Sequence, residues 1–132
     1  MADRRDLVFG SGVEQVQAST AVTGGENSSS VNMSDNYAVK FIINADDVGT
    51  DLVIKLQESV DDSVWTDVDA SEVVSDQALT SGQLTIPATG GDNTANQIGY
   101  VGFKQYVRYN VVSGAGTISG VGETSVNIYC EA

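Results

Sequence analysis

Four segments of this chain alternate apolar and polar residues with a period of two, and that pattern restricts the fold more than any other feature. Residues 37–43 place Tyr37, Val39, Phe41 and Ile43 on one face, and residues 51–58 do the same with Leu52, Ile54 and Leu56. Residues 105–112 line up Val107, Tyr109 and Val111, and residues 124–130 line up Val126, Ile128 and Cys130. A period of two belongs to strands with one buried face, because a helix repeats every 3.6 residues. Stretches 15–22, 64–68 and 82–86 have the same character, which brings the total to seven or eight short strands. Val, Thr, Ser, Gly and Asn abound, in keeping with strands and turns. The expected fold class is all-β: an antiparallel two-sheet sandwich, jelly-roll or Greek-key in topology.

Turn chemistry separates these segments. Asp46-Asp47-Val48-Gly49 has hairpin spacing and a glycine for positive φ, and Asp61-Asp62-Ser63 reads as a second hairpin. Gly114-Ala115-Gly116 and Gly120-Val121-Gly122 bracket a short piece at 117–119. Residues 24–36 and 89–97 are long, polar and read as functional or mobile loops, since long unstructured connections are uncommon in compact domains. Residues 70–79 fit a helical turn or an irregular crossover equally well. A length of 132 residues suits one domain, and neither an internal repeat nor a linker divides it. Residues 13–132 are therefore read as a single β-sandwich domain, preceded by an N-terminal arm or edge strand at 1–12. There Leu7, Val8 and Phe9 lie between a charged start and Gly10-Ser11-Gly12, and they are the candidate partner-interface residues.

Composition narrows the chemistry. Six Lys/Arg against eighteen Asp/Glu leave a net charge of −12, which repels nucleic acid and anionic lipid, so neither is an expected partner. No apolar run is long enough to span a bilayer, and no apolar core follows the charged start as a secretory signal would require. The chain has no histidine, hence neither the commonest general base nor the commonest transition-metal ligand. Its one cysteine, Cys130, forms no internal disulfide and, in phase with Val126 and Ile128, reads as a small core residue. The glycosylation patterns at Asn27 and Asn32 are taken as chance matches in a Ser/Asn-rich stretch.

Ten of the eighteen acidic residues lie between Asp46 and Asp76, with Lys55 the only cation among them. Asp46, Asp47, Asp61, Asp62, Asp67 and Asp69 have the hard oxygen ligands that calcium takes, but no stretch has the spacing of a twelve-residue calcium loop. They read as solvated turn residues, and no metal or cofactor is assigned. Paired carboxylates without an aromatic-lined cleft give no glycosidase, and no enzymatic activity is expected. Trp65 is expected to pack over the core at its hairpin, the alternative being a platform for a sugar ring. Tyr100, Phe103, Lys104, Tyr106, Arg108 and Tyr109 form an aromatic and basic cluster, whose cations are expected to pair with the acidic loops within a subunit or across an interface.

The stretch Leu52-Val-Ile-Lys-Leu-Gln-Glu-Ser-Val-Asp-Asp-Ser-Val-Trp-Thr-Asp-Val68, followed by Gly99-Tyr-Val-Gly-Phe-Lys-Gln-Tyr-Val-Arg-Tyr-Asn-Val-Val112, resembles the capsid decoration, or cement, proteins of tailed bacteriophages. The likeness covers roughly residues 37–112. It implies a β-sandwich or jelly-roll and a non-catalytic structural role, binding the major capsid protein on the outer surface of a phage head and bridging capsomers. It also implies symmetric oligomers, with a homodimer or homotrimer expected, assembly in the host cytoplasm and residence on the capsid exterior. Similar Ser-Asp-x-x-Trp hairpins occur in carbohydrate-binding sandwiches, so a carbohydrate- or receptor-binding module is the alternative.

Overall fold

The computed structural model describes residues 13–34 and 36–126. In chain order the strands are β1 (Val13–Thr23), β2 (Val31–Asn32), β3 (Asn36–Ser59), β4 (Thr66–Asp67), β5 (Val73–Val74), β6 (Leu79–Thr80), β7 (Gln83–Ile86), β8 (Thr94–Tyr100) and β9 (Tyr106–Val126). A 3-10 turn at Ala70–Glu72 precedes β5. The fold is all-β, as the alternation requires, and the nine strands form one antiparallel hydrogen-bonded sheet. Leu7, Val8, Phe9, Ile128 and Cys130 lie outside the described residues.

The strands are not uniformly short. β3 runs for 24 residues and β9 for 21. The hairpin expected at Asp46–Gly49 is instead an interruption inside β3, because both of its flanking segments pair with β9: Phe41 opposite Gly122 and Leu56 opposite Tyr109. Asp46 pairs with Thr117 and Thr50 with Ala115, so four steps along β3 oppose two along β9, a bulge. Asp47 adopts a φ of 49°, and the Val48 N–H donates to Asp92 Oδ1 at 2.7 Å. Residues suited to a turn here build a kink. The buried positions change phase across it, from Val39, Phe41, Ile43 and Ala45 to Leu52, Ile54 and Leu56.

The kink doubles the sheet over. Fifteen residues separate Phe41 from Leu56, or about 50 Å along a straight strand at ~3.3 Å per residue. Yet the ring of Tyr109, the partner of Leu56, meets Phe41 edge to face with centroids 5.5 Å apart. One core is thereby enclosed between two arms of the same sheet. Phe41, Ile43 and Ile98 come from one arm and Leu52, Ile54, Leu84, Ile86, Val107, Tyr109 and Val111 from the other, all fully buried. Complete burial of each such side chain stabilises by roughly 1.5–3 kcal/mol. Gly120 permits the close approach, since a Cβ there would collide with the Tyr109 hydroxyl.

Neither long polar stretch is simply a loop. Residues 25–33 continue β1 along β9: the Gly25 N–H donates to Val111 O at 2.7 Å, that of Val111 to Glu26 O at 2.8 Å, and that of Ser28 to Tyr109 O at 3.0 Å. Residues 94–97 are strand, because β8 pairs with β3 from Ala45↔Thr94 to Val39↔Tyr100. A chain without an apolar alternation can still be held in a sheet when strong neighbours on the adjoining strand supply the packing.

Candidate functional site

Local bonds occupy the outer side of β8 and β1 at a few points. On β8 the Ser75 hydroxyl donates to Gln97 O at 2.6 Å and the Gln97 N–H donates to Gln77 Oε1 at 2.8 Å, so two side chains occupy the places a neighbouring strand would take. On β1 the Ser29 N–H donates to Val16 O at 2.9 Å, and the Thr23 N–H donates to the Glu26 carboxylate at 3.3 Å. Such capping discourages strand addition at these points.

Two loops meet at one end of the molecule. Ser59, the last residue of β3, pairs with Tyr106, the first of β9, so residues 60–65 and 101–105 leave the sheet side by side. Of seven exposed large apolar side chains among the described residues, four lie on these loops: Phe103 (94% exposed), Val64 (68%), Val60 (65%) and Val101 (41%). Single exposed apolar residues are ordinary, whereas a group of them marks a contact surface. We term this end the apex.

Its base is rigid. The buried Tyr100 donates its hydroxyl proton to Glu58 Oε1 at 2.8 Å and accepts the Lys104 N–H at 2.9 Å. Gly102 crosses the Tyr100 ring so closely that a Cβ would lie 2.6 Å from it. Phe103 therefore projects from a pinned turn. Burial raises the Tyr100 phenol well above its ordinary range, and the bond to Glu58 adds to this. On the other loop Asp61 Oδ1 accepts the N–H groups of Val64 and Ser63, each at 3.0 Å, and the Ser59 hydroxyl at 2.9 Å, which holds its carboxyl below the usual range.

Trp65 is not a core residue. It is half-buried at the foot of the apex, with the guanidinium carbon of Arg108 4.2 Å from its ring centroid. Arg108 Nε donates to Gln57 Oε1 at 3.0 Å. A cation thus covers the ring where core packing was expected, because Arg108 points outward beside Gln57 while its neighbours Val107 and Tyr109 point inward. The expected aromatic and basic cluster is also divided by the sheet. Tyr100 and Tyr109 are buried, while Phe103 and Lys104 are exposed.

The acidic stretch is dispersed over separate turns. Asp51 Oδ1 accepts the Ala88 N–H at 2.8 Å, Asp67 pairs with Lys55 Nζ at 2.9 Å, and Asp69 accepts the Ser71 N–H at 3.0 Å. Among the described residues no three ligating side chains gather as a metal cage. Near the kink an open groove of about 360 Å³ is lined by Ser19, Asn44, Asp46, Asn93, Thr94 and Thr117, with no aromatic ring against which a sugar would stack. No helix among the described residues is long and apolar enough to cross a membrane. The exposure of Val60 and Val101 had no signature in the sequence, since each falls outside the alternating segments, and Val64 belongs to the stretch 64–68 expected as strand, of which only Thr66–Asp67 is one.

No family model matches the chain, and no curated protein matches its sequence. Among solved structures, the fold is similar to that of the SPBc2 prophage-derived protein YomS, with a TM-score of 0.50 and 17% identity over 86% of this chain and 95% of that one. Two structures of the Tobacco streak virus coat protein align at TM-scores of 0.31 and 0.28, with 8% and 9% identity over 89% of this chain and 90% and 92% of theirs; likeness at that level carries no argument.

Proposed function

We propose that this chain is a non-catalytic structural protein of a phage virion, a decoration protein that binds the major capsid protein on the outside of the head and stabilises the shell by bridging capsomers. The observation that carries the reading is the apex: exposed apolar side chains gathered on pinned loops at one end of the sheet. Such a frame serves to hold contact surfaces in place. The resemblance of residues 37–112 to cement proteins supports the same reading, and so does a fold shared with a prophage-derived protein. We read the doubled sheet as a sandwich of the jelly-roll type. The Leu7, Val8 and Phe9 segment supplies the contact with the shell in this reading, as an arm that docks on it.

One observation favours a carbohydrate- or receptor-binding module instead, namely that Trp65 is half-exposed. Arg108 covers a face of the ring that a sugar would use, and for that reason the structural role is preferred. Co-sedimentation with undecorated phage heads, beside a glycan array, separates the two. Saturable binding to heads that strengthens them against heat is the expected result. Glycan binding that Trp65→Ala abolishes, without binding to heads, would overturn it.

A further inference from the structure

The apex carries charges of both signs, and their placement identifies an occupant. Among the described residues there are four cations. Lys40 pairs with Glu123 at 3.5 Å and Lys55 with Asp67 at 2.9 Å. Among the described residues neither Lys104 nor Arg108 has an ion pair within 4 Å; Arg108 lies in the field of the Asp62 carboxylate, so Lys104, directly beside Phe103, is the apex cation without an acidic neighbour. On the adjoining loop Asp61 is committed to its own turn, whereas the exposed Asp62 carboxylate accepts no hydrogen bond among the described residues and acts on Arg108 only through its field. The surface therefore has a basic lobe, Phe103 with Lys104, next to an acidic lobe, Val60 and Val64 with Asp62.

We propose that two copies of this chain bind each other through the apex, about a two-fold axis. A two-fold rotation sets each lobe against its opposite, so Lys104 of one copy faces Asp62 of the other, and Phe103 packs against Val60 and Val64. With a net charge of −12, two copies repel one another by most approaches. The apex is where unpaired positive charge and apolar area coincide. A purely basic partner would meet Lys104 and Arg108 as like charges. At physiological ionic strength the long-range repulsion is screened beyond about 8 Å, while lobes in contact keep their attraction. Two loops make a small interface, so a weak, concentration-dependent dimer is expected.

The test is sedimentation equilibrium of the full chain over a concentration series, with a melting curve for each variant. Wild type forms a dimer. Phe103→Ala, Lys104→Glu and Asp62→Lys each weaken it about tenfold or more, with melting unchanged because all three side chains are exposed. Asp62→Lys and Lys104→Glu combined in one chain restore it, since both cross-pairs are rebuilt with inverted sign. A monomer at every concentration, a trimer, or a dimer indifferent to the charge reversals overturns the proposal. So does a monomer that binds phage heads through Phe103, which assigns the apex to the shell. The sedimentation series contains no shell and the head-binding assay is separate, so failure of the dimer leaves the decoration reading standing.

Discussion

Arg108 sits over Trp65 with its guanidinium carbon 4.2 Å from the ring centroid, in a chain whose only tryptophan this is. The pair belongs to the surface of the doubled sheet, and the energy at stake there is that of a surface contact.

Trp65→Ala is accordingly expected to cost about 1 kcal/mol, near the value of an exposed cation–π pair, and not the ~3–5 kcal/mol of a core aromatic. Urea unfolding measures it. Arg108→Ala should shift the tryptophan emission to longer wavelength while the unfolding midpoint barely moves.

Gly120→Ala forces a methyl against the Tyr109 hydroxyl and should destabilise by roughly 1–3 kcal/mol. Tyr109→Phe removes the bond to Gln17 Oε1 but also the atom struck first. The two substitutions together should cost less than the sum of their separate effects, which a double-mutant cycle reads directly.

The buried phenols of Tyr100 and Tyr109 have folded-state pKa values raised by burial above the ordinary value of about 10. A raised value means that their stabilisation is complete below about pH 10 and is lost as pH rises through the folded value. Near-ultraviolet absorbance should show these two of the five tyrosines ionising only as the chain unfolds at alkaline pH. Tyr100→Phe removes one of the two late steps.

Asp61 behaves in the opposite sense. Hydrogen bonds from Val64, Ser63 and Ser59 lower its pKa, so its contribution is present above the ordinary carboxylate value of about 4 and fades as pH falls through the folded value. Asp61→Asn keeps an acceptor but not the charge. Wild type should be the more stable of the two at neutral pH, with the gap closing in acid. A gap independent of pH contradicts this.

Removing the caps of β8 should expose a strand. Ser75→Ala with Gln77→Ala leaves Gln97 N and O unpaired at an edge. Loss of about 1–3 kcal/mol and faster aggregation on heating are expected, by light scattering against wild type.

Much of the frame was legible in the sequence. The alternation found Phe41, Ile43, Leu52, Ile54, Leu56, Val107, Tyr109 and Val111, every one of them buried. What it missed was how those segments connect. Asp46-Asp47-Val48-Gly49 has the composition of a hairpin turn, and a positive φ at Asp47 serves a bulge as readily as a turn. Only the pairing of both flanks with β9 separates the two cases, and that is a long-range relation with no local signature. Trp65 was misplaced for a similar reason: proximity to Arg108 depends on the register of β3 with β9. At the apex, Phe103 and Lys104 were noticed as a cluster, but their exposure rests on the Gly102 turn over Tyr100.

The order of the strands has a consequence for synthesis. β9 is the partner of β1, β2 and β3, yet it follows every other described element in the chain. β3 is complete at Ser59, and its long partner does not begin until Tyr106. While the chain emerges, Phe41 can pair with Ile98 of β8 and Leu52 with Ile86 of β7, but neither has β9 to close the core over it, and Leu56 still lacks its partner Tyr109. Closing so wide a separation is slow, and the apolar faces stay uncovered in the interval. The last of the described strands to leave the ribosome is thus the one that turns a set of hairpins into a folded body.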